Sequence, residues 1–104
     1  MDRKEYLARL IDAIREVHHL EVSHRGTVPV TEKHRDQIVW EGEVEVFDVG
    51  GHAGGQTVYA WGHENDGDPQ KLEVTAVLEK GKIDSAQKAV QAASRQETRQ
   101  MTAN

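Results

Sequence analysis

The residues of this sequence that could do chemistry are histidines and glutamates, since none of its 104 residues is a cysteine. A thiolate nucleophile and a cysteine-type zinc site are therefore excluded. The histidines are His18, His19, His24, His34, His52 and His63. Neighbours such as His18 and His19 diverge by about 100° on a helix, and no pair has the i, i+4 spacing of a helical zinc motif. The pattern predicts scattered surface histidines, with no metal and no cofactor.

Glutamates recur at every second residue in the middle of the chain, at Glu41, Glu43 and Glu45. Paired carboxylates can act as acid and base when their surroundings separate their pKa values. Three of them on one strand are more often the solvent side of an amphipathic strand. The alternative that stays open is a small enzyme or metal-dependent protein. Its residues would be His24, His52 or His63 with Glu43 or Glu45.

Two short segments resemble ligand loops. Residues 50–55 (Gly-Gly-His-Ala-Gly-Gly) offer backbone N–H groups to an anion, but they join two strands and hold no lysine, so a mobile connection with His52 at its tip is predicted. Residues 64–68 (Glu-Asn-Asp-Gly-Asp) resemble a calcium loop. However, Pro69 and Thr75 stand where that loop needs glycine and glutamate, so a hairpin turn is predicted.

Helical periodicity is found near both ends of the chain. Apolar residues at three- and four-residue spacing predict a helix over residues 3–19, with Asp2 and Glu5 in the form of a capping box. Asp84 and Gln87 repeat that form and predict a second, alanine-faced helix over residues 85–97. Residues 98–104 are polar and are predicted to form a flexible tail, so the single domain spans residues 1–97.

The segments between the helices have the two-residue period of strands. Residues 20–30 predict an edge strand, broken near Gly26 and Pro29, because proline cannot donate to a ladder. Strands are also predicted over 38–49, 57–63 and 72–79, and residues 31–37 are expected to form an exposed loop. The predicted fold is a two-layer α+β sandwich of order α-β-β-β-β-α. In it, both helices pack on one face of an antiparallel sheet, and the outer face is free.

The register between strands 38–49 and 57–63 decides where the aromatic residues lie. If paired numbers sum to an odd value such as 107, Val46 faces Trp61, and both Trp61 and Tyr59 are buried. If the sum is even, Phe47 faces Tyr59 and the outer face becomes an aromatic centre with an acidic rim. That surface would suit a second copy of the chain or a cationic or aromatic ligand. The alanine-rich second helix favours the odd register. The candidate binding residues are Phe47, Tyr59, Trp61, His52, His63, Glu43 and Glu45.

The charge is uneven along the chain. The formal net charge is −5, and residues 36–79 hold ten acidic residues and one lysine. The outline of the fold resembles the double-stranded-RNA-binding domain, and residues 81–93 resemble its last helix. That resemblance implies RNA binding, but Asp84 and Gln87 stand where lysines would meet phosphates. Nucleic acid is therefore a disfavoured third hypothesis.

Residues 39–47, 59–61 and 84–93 are similar to segments of short bacterial proteins of unassigned function. The resemblance implies a bacterial, cytoplasmic, single-domain protein and no catalytic residue. No apolar run is long enough to span a membrane, and the N-terminus lacks a secretory signal, which agrees with a cytoplasmic location. The leading hypothesis is a small non-catalytic module that binds an unidentified protein or small ligand, or pairs with itself as a homodimer through the outer sheet face.

Overall fold

The computed structural model describes residues 1–50, 55–65 and 68–102, and for residues 65, 69–70 and 95–102 it describes the backbone alone. Its elements are α1 (Arg3–His18), β1 (Val22–His34), β2 (Gln37–Val49), β3 (Thr57–Asn65), β4 (Asp68–Leu78) and α2 (Ala86–Thr102). The strands form one antiparallel sheet in the order β1-β2-β3-β4. The predicted α+β class and the order of the elements are confirmed.

The two helices lie on opposite faces of the sheet, so the prediction that they share one face was wrong. Leu10 and Ile14 of α1 belong to a core cluster with Phe47. Ala89 and Val90 of α2 belong to a second cluster on the other face. Residues 44–48 and 57–61 are buried without alternation, so both sheet faces are shielded from water there and each has a cover. The face predicted to be free for a partner therefore carries a helix.

The register between β2 and β3 is odd, as the small side chains of α2 predict. Val46 pairs with Tyr59 and Phe47 pairs with Val58, two residues away from the predicted partners. Tyr59 and Trp61 thus share the face of Val46 under α2, and they are only 5% and 6% exposed. Phe47 is fully buried on the opposite face. The buried position of Trp61 is confirmed, and the aromatic outer surface of the even register does not form.

The hairpin between β1 and β2 replaces the loop predicted over residues 31–37. Both strands continue through this polar segment to a two-residue turn at Arg35 and Asp36, whose φ angles are 53° and 66°. Positive φ at both positions matches the twist of a tight antiparallel hairpin, and aspartate tolerates it better than most residues. Backbone pairing at an exposed strand end needs no apolar side chain, so the hydrophobic periodicity of the sequence did not predict that the strands extend into residues 31–37. The predicted edge position of Pro29 is confirmed, and a bulge lies between His24 and Gly26.

Each helix begins at a side-chain cap. Asp2 accepts a hydrogen bond from the Glu5 N–H at 2.8 Å, which confirms the predicted cap of α1. At α2, the hydroxyl of Ser85 accepts from the Lys88 N–H at 3.2 Å, so the cap lies one residue after the predicted Asp84. Asp84 instead pairs with the Lys88 ammonium at 2.9 Å. Helix α2 runs five residues past its predicted end, and the flexibility of residues 98–104 stays a prediction.

The described helices include none that is long and apolar enough to cross a membrane.

Tyr59 should titrate far above an ordinary tyrosine. Its buried hydroxyl donates to Glu79 at 2.9 Å, and burial together with this carboxylate raises the pKa of Tyr59 from 10.0 to about 12. Because the folded pKa exceeds the unfolded one, the contribution of Tyr59 to stability is complete below pH 10 and is lost as the pH rises towards 12. An ultraviolet titration of tyrosinate checks this, with Tyr59→Phe as control. If the Tyr59→Phe protein lacked a titration step near pH 10 that the wild type shows, Tyr59 would titrate as an ordinary tyrosine and the raised pKa would be contradicted.

Candidate functional site: a cleft between two hairpins

The sheet consists of two long hairpins that join along a short seam. Strands β1 and β2 pair along nearly their whole length, as do β3 and β4. Strands β2 and β3 pair only between residues 45–48 and 57–60. Beyond the Glu45–Ala60 pair, β2 continues to Gln37 and β3 to Asn65 without pairing to each other. The hairpins therefore separate, and an open cleft lies between β2 and β3.

The cleft encloses a cavity of about 640 Å³. Its lining combines two indoles, three carboxylates and two basic side chains: Trp40, Trp61, Glu41, Glu43, Glu45, Arg3 and His63. Strand alternation places the indoles on the α2 face of the sheet and the glutamates on the α1 face. The cavity thus has an aromatic side and an acidic side.

The two indoles bridge the separated strands. The rings of Trp40 and Trp61 meet edge to face, with centroids 5.6 Å apart and planes inclined by 66°. Trp61 is buried, whereas Trp40 is only partly buried and packs at the border of the α2 core. Edge-to-face contact is a favoured aromatic geometry, so this pair can hold the aromatic side of the cleft in place.

A glycine allows Trp40 to take this position. The Trp40 ring folds back over Gly42, where an added Cβ would lie 3.1 Å from the nearest ring carbon. Any larger residue at position 42 would push the indole by a few tenths of an ångström or more. The group that approaches this glycine so closely is a side chain of the same strand.

The innermost carboxylate, Glu45, is buried and held by three donors. Its side chain is 1% exposed and accepts from Arg3 and His24, each at 2.8 Å, and from the Thr27 hydroxyl at 2.6 Å. Burial alone would raise the pKa of Glu45, but the hydrogen bonds from Thr27, Arg3 and His24 outweigh it and hold the pKa below 4.5. Glu45 therefore stays ionised and joins α1, β1 and β2 at the closed end of the cleft.

Helix α1 supplies the adjoining wall. The hydroxyl of Tyr6 accepts a hydrogen bond at 2.9 Å from the N–H of Gly62, which lies two residues beyond the last β2–β3 pair. A strand N–H without a ladder partner needs another acceptor when it is shielded from water. Tyr6 supplies one here, which allows β3 to leave β2 without leaving this N–H unsatisfied.

The outer carboxylates, Glu41 and Glu43, differ from Glu45. Both side chains are exposed at the cleft. Within the described part of the chain, neither carboxylate forms a hydrogen bond or an ion pair, whereas Glu45 is neutralised by Arg3. The cleft therefore presents two carboxylates that are open to a ligand.

The structure brings four of the seven predicted binding residues to the cleft. Glu43, Glu45, Trp61 and His63 line it, and His63 also contacts Glu73 at 3.1 Å. Phe47 and Tyr59 lie in the two core clusters, outside the cleft lining. His52 lies outside the described residues. His24 bonds to Glu45 and stacks edge to face on Phe47, with ring centroids 5.4 Å apart. The candidates from sequence did not include the other lining residues, which are Arg3, Tyr6, Trp40, Glu41, Gly42, Gly62 and Thr75.

Among the side chains that the structure describes, no three of histidine, aspartate or glutamate come together as a metal site. The predicted alternative of a metal-dependent protein used His24, His52 or His63 with Glu43 or Glu45, and His52 lies outside the described residues. His24 is engaged with Glu45, and His63 is paired with Glu73.

Comparison of the chain with protein-family models, curated proteins and solved structures gave no match. The resemblance to short bacterial proteins stays a prediction, and the function is argued from the geometry of the cleft.

Proposed function

We propose that this protein is a non-catalytic binding module and that the cleft between its two hairpins takes up a ligand. The observation that carries the proposal is the cavity of about 640 Å³ with an indole pair on one side and carboxylates on the other. Small-molecule sites typically measure about 300–1,000 Å³ and combine apolar walls with a few polar groups. A ligand here would bury apolar surface on the indoles and be oriented by the glutamates.

The state of Glu45 favours binding over catalysis. A general acid or base must exchange its proton near the working pH. Glu45 is instead held ionised by three donors, and its lowered pKa moves it away from that range. Its hydrogen bonds tie secondary-structure elements together. A structural role for Glu45 leaves Glu41 and Glu43 as the exposed carboxylates of the cleft.

Acidic lining also argues against RNA, because nucleic-acid binding depends on cationic contacts to phosphates. The proposal includes a cytoplasmic location.

Homodimer formation stays a separate prediction, which sedimentation at increasing protein concentration would test. Because each sheet face carries a helix, such contact would need a surface other than an open sheet face.

An NMR titration with a mixed fragment library tests the proposed function. The library should contain neutral, cationic and anionic compounds at millimolar concentration. We expect compounds of at least one of these three classes to shift the amide signals of residues 40–45 and 61–63 together with the two indole N–H signals. Shifts confined to other surfaces, or none with any compound, would overturn the assignment of the cleft as the binding site.

A pair of glycine variants sharpens this test. Gly42→Ala should displace the Trp40 ring and weaken fragment binding severalfold, because the new Cβ would lie 3.1 Å from the indole. Gly26→Ala is the matched control in β1, since its Cβ would meet nothing within 4 Å. Equal fragment affinities in the two variants would show that the position of Trp40 does not shape the site.

A further inference from the structure

We propose that the ligand of the cleft is an organic cation, a quaternary ammonium or guanidinium group, held between the Trp40 indole and the carboxylates of Glu41 and Glu43. This inference rests on the proposed function and adds the chemical class of the ligand. It depends on three features of the cleft: uncompensated charge, an available aromatic surface and a guanidinium that the cavity already accommodates.

The charge of the lining is the first feature. Three carboxylates, the guanidinium of Arg3 and the imidazole of His63 line the cavity. Arg3 is bonded to Glu45 and is also attracted by Glu43, and His63 is paired with Glu73. Glu41 and Glu43 remain without an ion pair among the described residues. A cation between them would gain attraction to both carboxylates, whereas an anion would be repelled. Charge thus selects the sign of the ligand.

The aromatic surface is the second feature. The ring face of tryptophan attracts cations more strongly than that of any other side chain, and quaternary ammonium groups are bound in this way by aromatic cages. Trp40 is only partly buried, and it is held at the cleft by its contact with Trp61 and by the room above Gly42. Its position is therefore fixed before a ligand arrives, which lowers the entropic cost of binding.

The third feature is the guanidinium of the protein itself. The Arg3 side chain lines the same cavity and donates to both oxygens of Glu45, at 2.8 and 3.3 Å. The cavity thus already accepts one planar cation against a carboxylate. Glu41 and Glu43 extend the same row of alternate residues towards the open end of β2, so a second cation would meet the same type of acceptor there.

Choline and its neutral isostere 3,3-dimethylbutan-1-ol isolate the effect of charge. We expect choline to shift the cleft signals in an NMR titration and to bind at least about tenfold more tightly than the alcohol, which corresponds to a difference of about 1.4 kcal/mol. N-acetylargininamide and a Gly-Gly-Arg-Gly-Gly peptide form the guanidinium arms. If the peptide binds more tightly than N-acetylargininamide, the natural cation is the side chain of a protein partner. If the two bind equally, the natural cation is a free small molecule. Both results support the inference.

The double variant Glu41→Gln/Glu43→Gln should weaken choline about tenfold while leaving the alcohol unchanged. Glu5→Gln/Glu16→Gln removes the same charge from exposed positions of α1 and should have little effect. Equal affinity of choline and the alcohol, or equal effects of the two double variants, would overturn the cation inference. The fragment titration tests the cleft separately, because a neutral or anionic fragment bound there would preserve the proposed function while excluding a cation.

Discussion

Replacing Phe47 by alanine is expected to lower the free energy of unfolding by about 3–5 kcal/mol, the usual cost of removing a buried phenylalanine. Phe47 is fully buried, packs in the cluster beneath α1 and meets the His24 ring edge to face. Its loss would leave a cavity in the core cluster that packs beneath Leu10 and Ile14 of α1. Urea denaturation followed by circular dichroism measures the change.

The matched control is Val39→Ala in the same strand. Val39 has the same parity as Phe47 but is 56% exposed, so its truncation should cost less than about 0.5 kcal/mol. The comparison also tests the register, because Phe47 was a candidate binding residue on the outer face in the even register. Similar small effects of the two variants would contradict the buried position of Phe47.

Glu45→Ala is expected to cost about 1–3 kcal/mol, because it removes the buried acceptor that Arg3, His24 and Thr27 share, while these donors are open enough to water to be partly resolvated. The lower part of this range applies if water reaches Arg3, whose side chain is half exposed. Glu43→Ala is the control, since Glu43 lies two residues away on the same strand face and is exposed. Equal losses of stability in the two variants would contradict the proposed role of Glu45 as the junction between α1, β1 and β2.

The pH dependence of Glu45→Gln provides a second check. The folded pKa of Glu45 lies below 4.5, so its ionised form stabilises the native state above that pH and the contribution is lost as the pH falls through the lower folded pKa. The stability difference between wild type and Glu45→Gln should therefore be largest near neutral pH and shrink in acid. A difference that stays constant down to strongly acidic pH would indicate that the charge of Glu45 is not responsible.

Local sequence patterns predicted the elements well where apolar residues recur along the chain with a regular period. Ile38, Trp40, Val44 and Val46 on one parity predicted β2, and the helical spacing of leucines and isoleucines predicted α1. The same patterns failed where polar residues are buried by partners that are distant in the sequence. Asp48 is buried because Arg25, the extra residue at the β1 bulge, donates to it, and Glu45 is buried because Arg3 reaches it from α1. Such polar residues suggested a solvent face, which led to both helices being placed together.

The cleft was only partly accessible to sequence reasoning. Glu43, Glu45, Trp61 and His63 were among the candidates, because charged and aromatic residues alternate in β2 and β3. Their common location depends on where β2 and β3 stop pairing, which is set by three-dimensional packing against α1 and by the Tyr6–Gly62 hydrogen bond. One signal was present in the sequence: a glycine lies beside a tryptophan at 61–62 and two residues after one at 40–42.

Binding of a cation between the indole pair and the outer glutamates of the cleft can be observed through intermolecular nuclear Overhauser effects from the methyl protons of choline. We expect contacts to the ring protons of Trp40 and to the side-chain protons of Glu41 and Glu43. Contacts to residues outside the cleft, with none to Trp40, would contradict it.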